Sequence, residues 1–424
     1  MKDGLSGINA LKALASYKFF IPLLIAVVLL IPLLLSRTKH KGKKLFSFLN
    51  YLAVILFLFQ TGLLAQSFFS SSWQDMPTIA LEKTDKKPNV YFILFDEYCG
   101  NQQMEDWYGF ENERLKNYFA SKGILNRENF RSNYNWTMLS MNSMLNLQYV
   151  DKDLLYPWNE YSLYLKSYRY IGDNQLVKFF EKNDYDFKNL SIFNIADKKQ
   201  EHRLANQYSA VEVMNNKMLF QTMKGELAWH FIVGKFKTDY LYEKEYLYHL
   251  HKNEKVLSET IRYAKEASEN SKSQFVYSHM MLPHQPYLTD SNGMVLDYDT
   301  ELKKFGTNAA YFNNVIVANR KIQTFYDSIL HYDPESIVIL SGDHGFRSLH
   351  DSIHPYVFST LFSMHLPSES YEAWDSVSSL VNVFPTLLNS EFNQKVPIYK
   401  DSTFFMDEKT KTFFPYNVDS VLVD

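Results

Sequence analysis

Two apolar stretches near the amino terminus constrain this chain most. "FFIPLLIAVVLLIPLLLS" occupies residues 19–36 and "LFSFLNYLAVILFLFQTGLLAQ" residues 45–66. A helix that crosses a bilayer core needs about 20 apolar residues at a rise of about 1.5 Å each, and both runs supply that length. Pro22 and Pro32 are better tolerated in a membrane helix than in a soluble one. Between the runs lies "RTKHKGKK", residues 37–44, a short basic loop of the kind retained on the cytoplasmic face. The expectation is a membrane hairpin within residues 1–68, with both ends facing out, in a multi-pass protein of the cell (inner) membrane. The competing reading is a cleaved signal peptide followed by a buried helix. It fits poorly, because a signal needs one short apolar core and small residues at its cut.

Residues 69–88 are polar, rich in Ser and Lys, and end at Pro88, as a linker would. Residues 89–424 have the composition of a soluble domain, placed beyond the cytoplasm by the hairpin. The formal net charge is −3 and no basic stripe stands out, which argues against a nucleic-acid partner. Cys99 is the single cysteine, so no internal disulfide forms.

Strand and helix patterns alternate through this part. "NVYFILFDEY" is a continuous apolar run of the kind a central parallel strand shows. "FENERLKNYFASKG" reads as a helix ending at Gly123, "ILNRENF" as a short strand, "WTMLSMNSMLN" as a helix, and "NQLVKFFEKNDYDFKNLSIF" as helix, turn, strand. Residues 196–250 read as mostly helical, and an amphipathic helix follows in "HKNEKVLSETIRYAKEAS". "SQFVYSHMM", "SIVILSG" and "YVFSTLFSMHLP" read as strands, and "YFNNVIVANRKIQTFYDSIL" and "SVSSLVNVFPTLLN" as helices. The pattern predicts an α/β fold with a mostly parallel sheet sandwiched by helices.

Ligands of such sheets collect at the carboxyl ends of the strands. Asp96 and Glu97, His279 and His284, and Asp343 and His344 fall at predicted strand ends, and His350 and His354 follow shortly after. Taken singly, an acid after a strand caps a helix and a histidine is a hydrogen-bonded structural residue. Together, Asp and His side chains are donors suited to one divalent ion, Zn²⁺ or Mn²⁺. Thr137 falls in the first turn of a predicted helix, where backbone N–H groups favour an anion. It is either a helix-cap residue or a nucleophile, and a threonine hydroxyl becomes nucleophilic only beside a base or a metal.

In chain order, "NVYFILFDEY", "YGFEN", "SNYNWTMLSMNSMLN", "HMMLPHQPY", "SGDHGFRS" and "NVFPTLLN" resemble the sulfatase-like branch of the alkaline phosphatase superfamily. The likeness runs over residues 88–392 and is greatest to its membrane-anchored members, the lipoteichoic acid synthases and phosphoethanolamine transferases. The resemblance implies that Asp96, Thr137, Asp343 and His344 hold the metal and that Thr137 is the nucleophile. It implies that His284 holds the transferred group and that His354, or less readily His350, binds that group or passes a proton. It leaves Asp96 and Glu97 as alternatives for the first ligand, and gives His279 and Arg347 no role beyond proximity. Cys99 lies outside any formylglycine context, which argues against a conventional sulfatase. The implied activity is a hydrolase or transferase acting on a phosphoester of a membrane lipid headgroup or envelope glycan. Hydrolysis of soluble phosphate or sulfate esters is one alternative, and a non-catalytic membrane-bound binding protein is another.

Overall fold

A computed structural model describes residues 75–155, 160–202, 239–287, 289–296, 307–347, 355–407 and 412–418, with isolated helical positions between 47 and 62. The runs at 19–36 and 45–66, apart from those positions, lie outside the described residues, as do most of 196–250, His350 and His354. Among the described residues no helix is long and apolar enough to cross a membrane. The chain divides into two units, residues 1–74 with 208–238 and residues 75–207 with 239–424, and the second carries the features below.

That unit runs β1 (Val90–Phe95), α1 (Asn101–Tyr108), α2 (Glu113–Ser121), β2 (Leu125–Asn126), α3 (Thr137–Leu145), α4 (Glu160–Gly172), α5 (Gln175–Lys182), β3 (Asp186–Leu190), α6 (Asp239–Glu266), β4 (Gln274–Met280), α7 (Asn308–Tyr332), β5 (Ile337–Gly342), β6 (Phe362–His365), α8 (Val383–Phe392), β7 (Thr403–Asp407) and β8 (Thr412–Tyr416). Strands β2-β6-β5-β1-β4-β3 form one sheet in that order, and β7-β8 form a separate hairpin. Strand β1 lies between β4 and β5, parallel to both, and β3 is parallel to β4. Antiparallel β6 and β2 finish one edge.

The reason for the sandwich is legible in β1, whose side chains are all buried. Val90, Phe92 and Leu94 face a core with Leu139 of α3, Phe180 of α5 and Phe384 of α8. Tyr91, Ile93 and Phe95 face a second core with Phe119 of α2, Val256 of α6 and Phe325 of α7. A strand covered by helices on both faces must be apolar at successive positions, since alternation puts neighbours on opposite sides.

Register then sets the site. Phe95 pairs with Met280 on one side and Gly342 on the other, so the residues after β1 and β5 leave the sheet at one height. Asp96 and Asp343 are those residues.

Two sequence readings differ in detail. "YVFSTLFSMHLP" is not one strand: Pro355–Phe358 form a 3₁₀ turn and only Phe362–His365 extend. The turn is fixed by backbone bonds that a strand reading omits, from Ser359 N to Tyr356 O and from Thr360 N to Phe130 O. "ILNRENF" contributes only the two residues of β2.

Candidate metal centre and active site

Asp96, Asp343 and His344 each present one donor atom, and these atoms lie within 4.8 Å of one another with all three residues buried. Asp343 Oδ1 accepts the backbone N–H of Glu97 at 2.9 Å, while its Oδ2 has no hydrogen-bond partner. His279 Nε2–H donates to Asp96 Oδ2 at 3.2 Å, and Asp96 Oδ1 is left without a partner. Burial by itself would raise the Asp96 pKa, but nearby His284 and the bond from His279 outweigh it and hold the carboxyl well below its usual range.

His344 completes the set. Its Nδ1–H donates to Gly345 O at 2.8 Å, so the neutral ring presents a lone pair at Nε2. That lone pair lies 3.3 Å from Asp343 Oδ2 and 3.3 Å from Thr137 Oγ1. An ion pair would require a proton on Nε2; with that proton on Nδ1, two acceptors face each other. Ligand bonds of about 2.0–2.2 Å put two donors about 3.3 Å apart across a tetrahedral ion. Two orphaned buried carboxylate oxygens and a facing imidazole lone pair therefore fit a divalent cation, since a buried acceptor left without a partner costs about 1–3 kcal/mol.

Thr137 opens α3, with Trp136 at the cap in extended geometry. The helix places the hydroxyl at its N-terminus, against His344.

Glu97 sits apart from the three-residue group. Its backbone is left-handed, at φ 62°, and its buried carboxylate accepts Arg347 N at 2.8 Å and Nε at 3.4 Å. His284 is half-buried on the same rim: its N–H donates to Asp96 O at 3.2 Å, and its Nε2 lies 3.4 Å from Arg347 Nη2 and 3.9 Å from Glu97 Oε2.

Gly342 and Gly345 have a reason other than a tight turn. Neither has positive φ. A Cβ on Gly342 would stand 2.7 Å from Tyr98 O and clash with Thr360 Oγ1, and one on Gly345 would clash with the Tyr356 and Ser359 carbonyls. The strand end is pressed against neighbouring backbone, and only glycine allows it.

Asp96, Thr137, Asp343 and His344 thus come together, with His284 on the adjoining rim; His354 lies outside the described residues. His279 is the residue whose part the sequence reading missed. Strand alternation was the available signal, since Tyr277 and His279 share one face of β4, and Tyr277 OH donates to His279 Nδ1 at 3.2 Å.

Comparison with protein-family models and with curated proteins yields no match. Among solved structures the chain is similar to the C-terminal periplasmic domain of EcEptC from Escherichia coli, at 10% identity and TM-score 0.49, covering 81% of this chain and 97% of that one. It is similar to the C-terminal periplasmic domain of phosphoethanolamine transferase EptC from Campylobacter jejuni, at 15% identity and TM-score 0.46, covering 77% and 95%. It is also similar to a protein in the alkaline phosphatase superfamily from Vibrio parahaemolyticus, at 12% identity and TM-score 0.43, covering 80% and 84%. Other similar structures are named as a putative sulfatase from Bacteroides fragilis and as the integral membrane lipooligosaccharide phosphoethanolamine transferase A from Neisseria meningitidis.

Proposed function

We propose that this chain is a membrane-anchored, metal-dependent hydrolase or transferase that moves a phosphoryl-type group through Thr137. The carrying observation is the Thr137 hydroxyl 3.3 Å from a histidine lone pair, beside two buried aspartates that each keep one unpaired oxygen. Asp96 Oδ1, Asp343 Oδ2 and His344 Nε2, with Thr137 Oγ1, are the atoms that would hold one divalent ion, zinc or manganese. When bound, that ion supplies a Lewis acid beside the threonine oxygen.

The residues do the rest. Thr137 Oγ, its proton given up to solvent, attacks phosphorus as the alkoxide, forming a P–O bond as the bond to the leaving alcohol breaks. His284 and the first-turn N–H groups of α3 face the negative charge on the remaining oxygens. His354 gives the departing alcohol its proton. It then takes one from the water or acceptor hydroxyl that attacks the phosphothreonine and releases Thr137.

The runs at 19–36 and 45–66 support a membrane hairpin with the catalytic domain outside the cytoplasm. A tethered site meets lipid headgroups and envelope glycans first, and these are the substrates proposed. Cys99 gives no support to a thiol-derived nucleophile: it is fully buried, and burial pushes its pKa up to about 12.

The test is intact-mass analysis of the full chain after incubation with phospholipid vesicles. A mass adduct that maps to Thr137 is expected, and Thr137→Ala is expected to lose both the adduct and at least about a thousandfold of turnover. Equal turnover by the two proteins overturns the assignment.

A further inference from the structure

Glu97 is held more firmly than any catalytic step above requires. Its N–H donates to Asp343 Oδ1 at 2.9 Å and its carbonyl accepts Tyr311 OH at 2.8 Å. Those two bonds hold a left-handed backbone that a residue with a Cβ seldom adopts. The result aims a buried carboxylate at Arg347, with His284 on its other oxygen.

We propose that Glu97 is a specificity-determining residue: by pairing with Arg347 beside His284, it fits the rim to a transferred group bearing one negative charge rather than two. The proposal rests on the phosphoryl-transfer reading above. A divalent ion offsets Asp96 and Asp343, and Glu97 offsets Arg347, so the rim offers an arriving anion no surplus positive charge. A phosphodiester or a sulfate monoester brings one negative charge, whereas a phosphate monoester brings two. The second charge meets the Glu97 carboxylate across a small gap. At a separation of about 6 Å and an effective dielectric of about 20, one such pair of charges corresponds to roughly a hundredfold in binding. Side chains at the rim are partly solvated, at 27% exposure for Arg347 and 20% for His284, and screening brings the expected discrimination to about tenfold.

The experiment uses the full-length, zinc-loaded protein and calorimetric binding of two matched anions. Methylphosphonate is used at a pH where it carries two charges, and its methyl ester carries one. Glu97→Gln keeps the shape of the side chain and an acceptor for Arg347 N. It is expected to favour the dianion over the monoanion by about tenfold relative to wild type. Arg347→Gln is expected to shift the ratio the other way by a similar factor, and it carries the test if Glu97→Gln does not fold. Equal changes for both anions in both variants overturn the role of Glu97 and leave the site intact. Failure of the wild-type protein to take up zinc or bind either anion overturns the phosphoryl-transfer reading and this proposal with it. Relative turnover of bis-p-nitrophenyl phosphate and p-nitrophenyl sulfate, both singly charged, separates the two ester classes.

Discussion

His279 stands outside the three-residue cluster, yet its ring holds one oxygen of Asp96. Burial pushes the Tyr277 pKa far up, aided by the charges of Asp343 and Asp96, so its hydroxyl stays a donor. It donates to His279 Nδ1, which places the ring proton on Nε2 and aims it at Asp96 Oδ2. One Asp96 oxygen is thereby fixed and the other is free to coordinate. Partners of this kind commonly change metal affinity by about 10–100-fold. His279→Phe should weaken zinc binding within that range, measured by competition with a chelator. His279→Gln, whose amide can donate to the same oxygen, should recover most of it. Unchanged affinity in His279→Phe would make the ring a packing residue. That Asp96, Asp343 and His344 cluster was legible in sequence because all three directly follow apolar strands. His279 was hidden because it lies inside a strand, where its role depends on a neighbour two residues away and an acid just past the end of the adjacent strand.

At the scale of elements, sequence succeeded where burial imposes a clear period. Strands β1, β4 and β5 and helix α7 carry unbroken core faces and were read near their observed places. Helix α1 was not read: only Asn101 and Met104 are buried, so its apolar spacing is faint. The β7-β8 hairpin was also missed, and Pro415 within β8 argues against a strand in sequence. Neither pattern reveals the contact between the loop after β3 and α6. There His202 Nε2 and His249 Nδ1 lie 2.8 Å apart, both rings buried. Burial, reinforced by neighbouring histidines, lowers His202 to about 2 and His249 to about 4. A histidine with a depressed folded-state pKa takes up its proton more readily in the unfolded chain. Its neutral form therefore supports the fold fully above the unfolded value of about 6.5, and that support is lost as pH falls toward the folded value. At pH 5 the loss is about 2 kcal/mol for one such ring. Urea unfolding should show stability falling between about pH 6.5 and pH 4, and a His202→Gln/His249→Gln variant should show a shallower fall. An identical pH profile in the variant would assign the acid sensitivity to other groups.

For the molecule as a whole, the stretch entering the domain is part of its stability. Composition marks residues 69–88 as a linker, yet residues 75–88 lie along the domain. Ile79 N donates to Gln175 Oε1 at 2.5 Å, Glu82 N to Gln394 Oε1 at 2.7 Å and Thr84 N to Asn183 Oδ1 at 2.9 Å. Met76, Ile79 and Leu81 pack on the core, and Tyr185 OH donates to Pro88 O at 2.7 Å just before β1 begins. Such a strap is invisible to periodicity, because its partners are side-chain amides from α5, the turn after it and the end of α8. The strap feeds the central strand whose far end bears Asp96, so loosening it acts on the same strand that sets the site's register. Gln175→Ala with Gln394→Ala removes two amide acceptors at separate places along it. At about 1 kcal/mol or slightly more for each lost bond, the pair should cost about 2–3 kcal/mol. For a unit spanning residues 75–207 and 239–424 that corresponds to a fall in Tm of about 3–5 °C. Trypsin should then cut at Lys83 or Lys86 in the double variant much sooner than in wild type, because a released strap exposes backbone that the domain now covers. Equal cleavage rates and equal Tm would show that the strap is held by its apolar side chains alone.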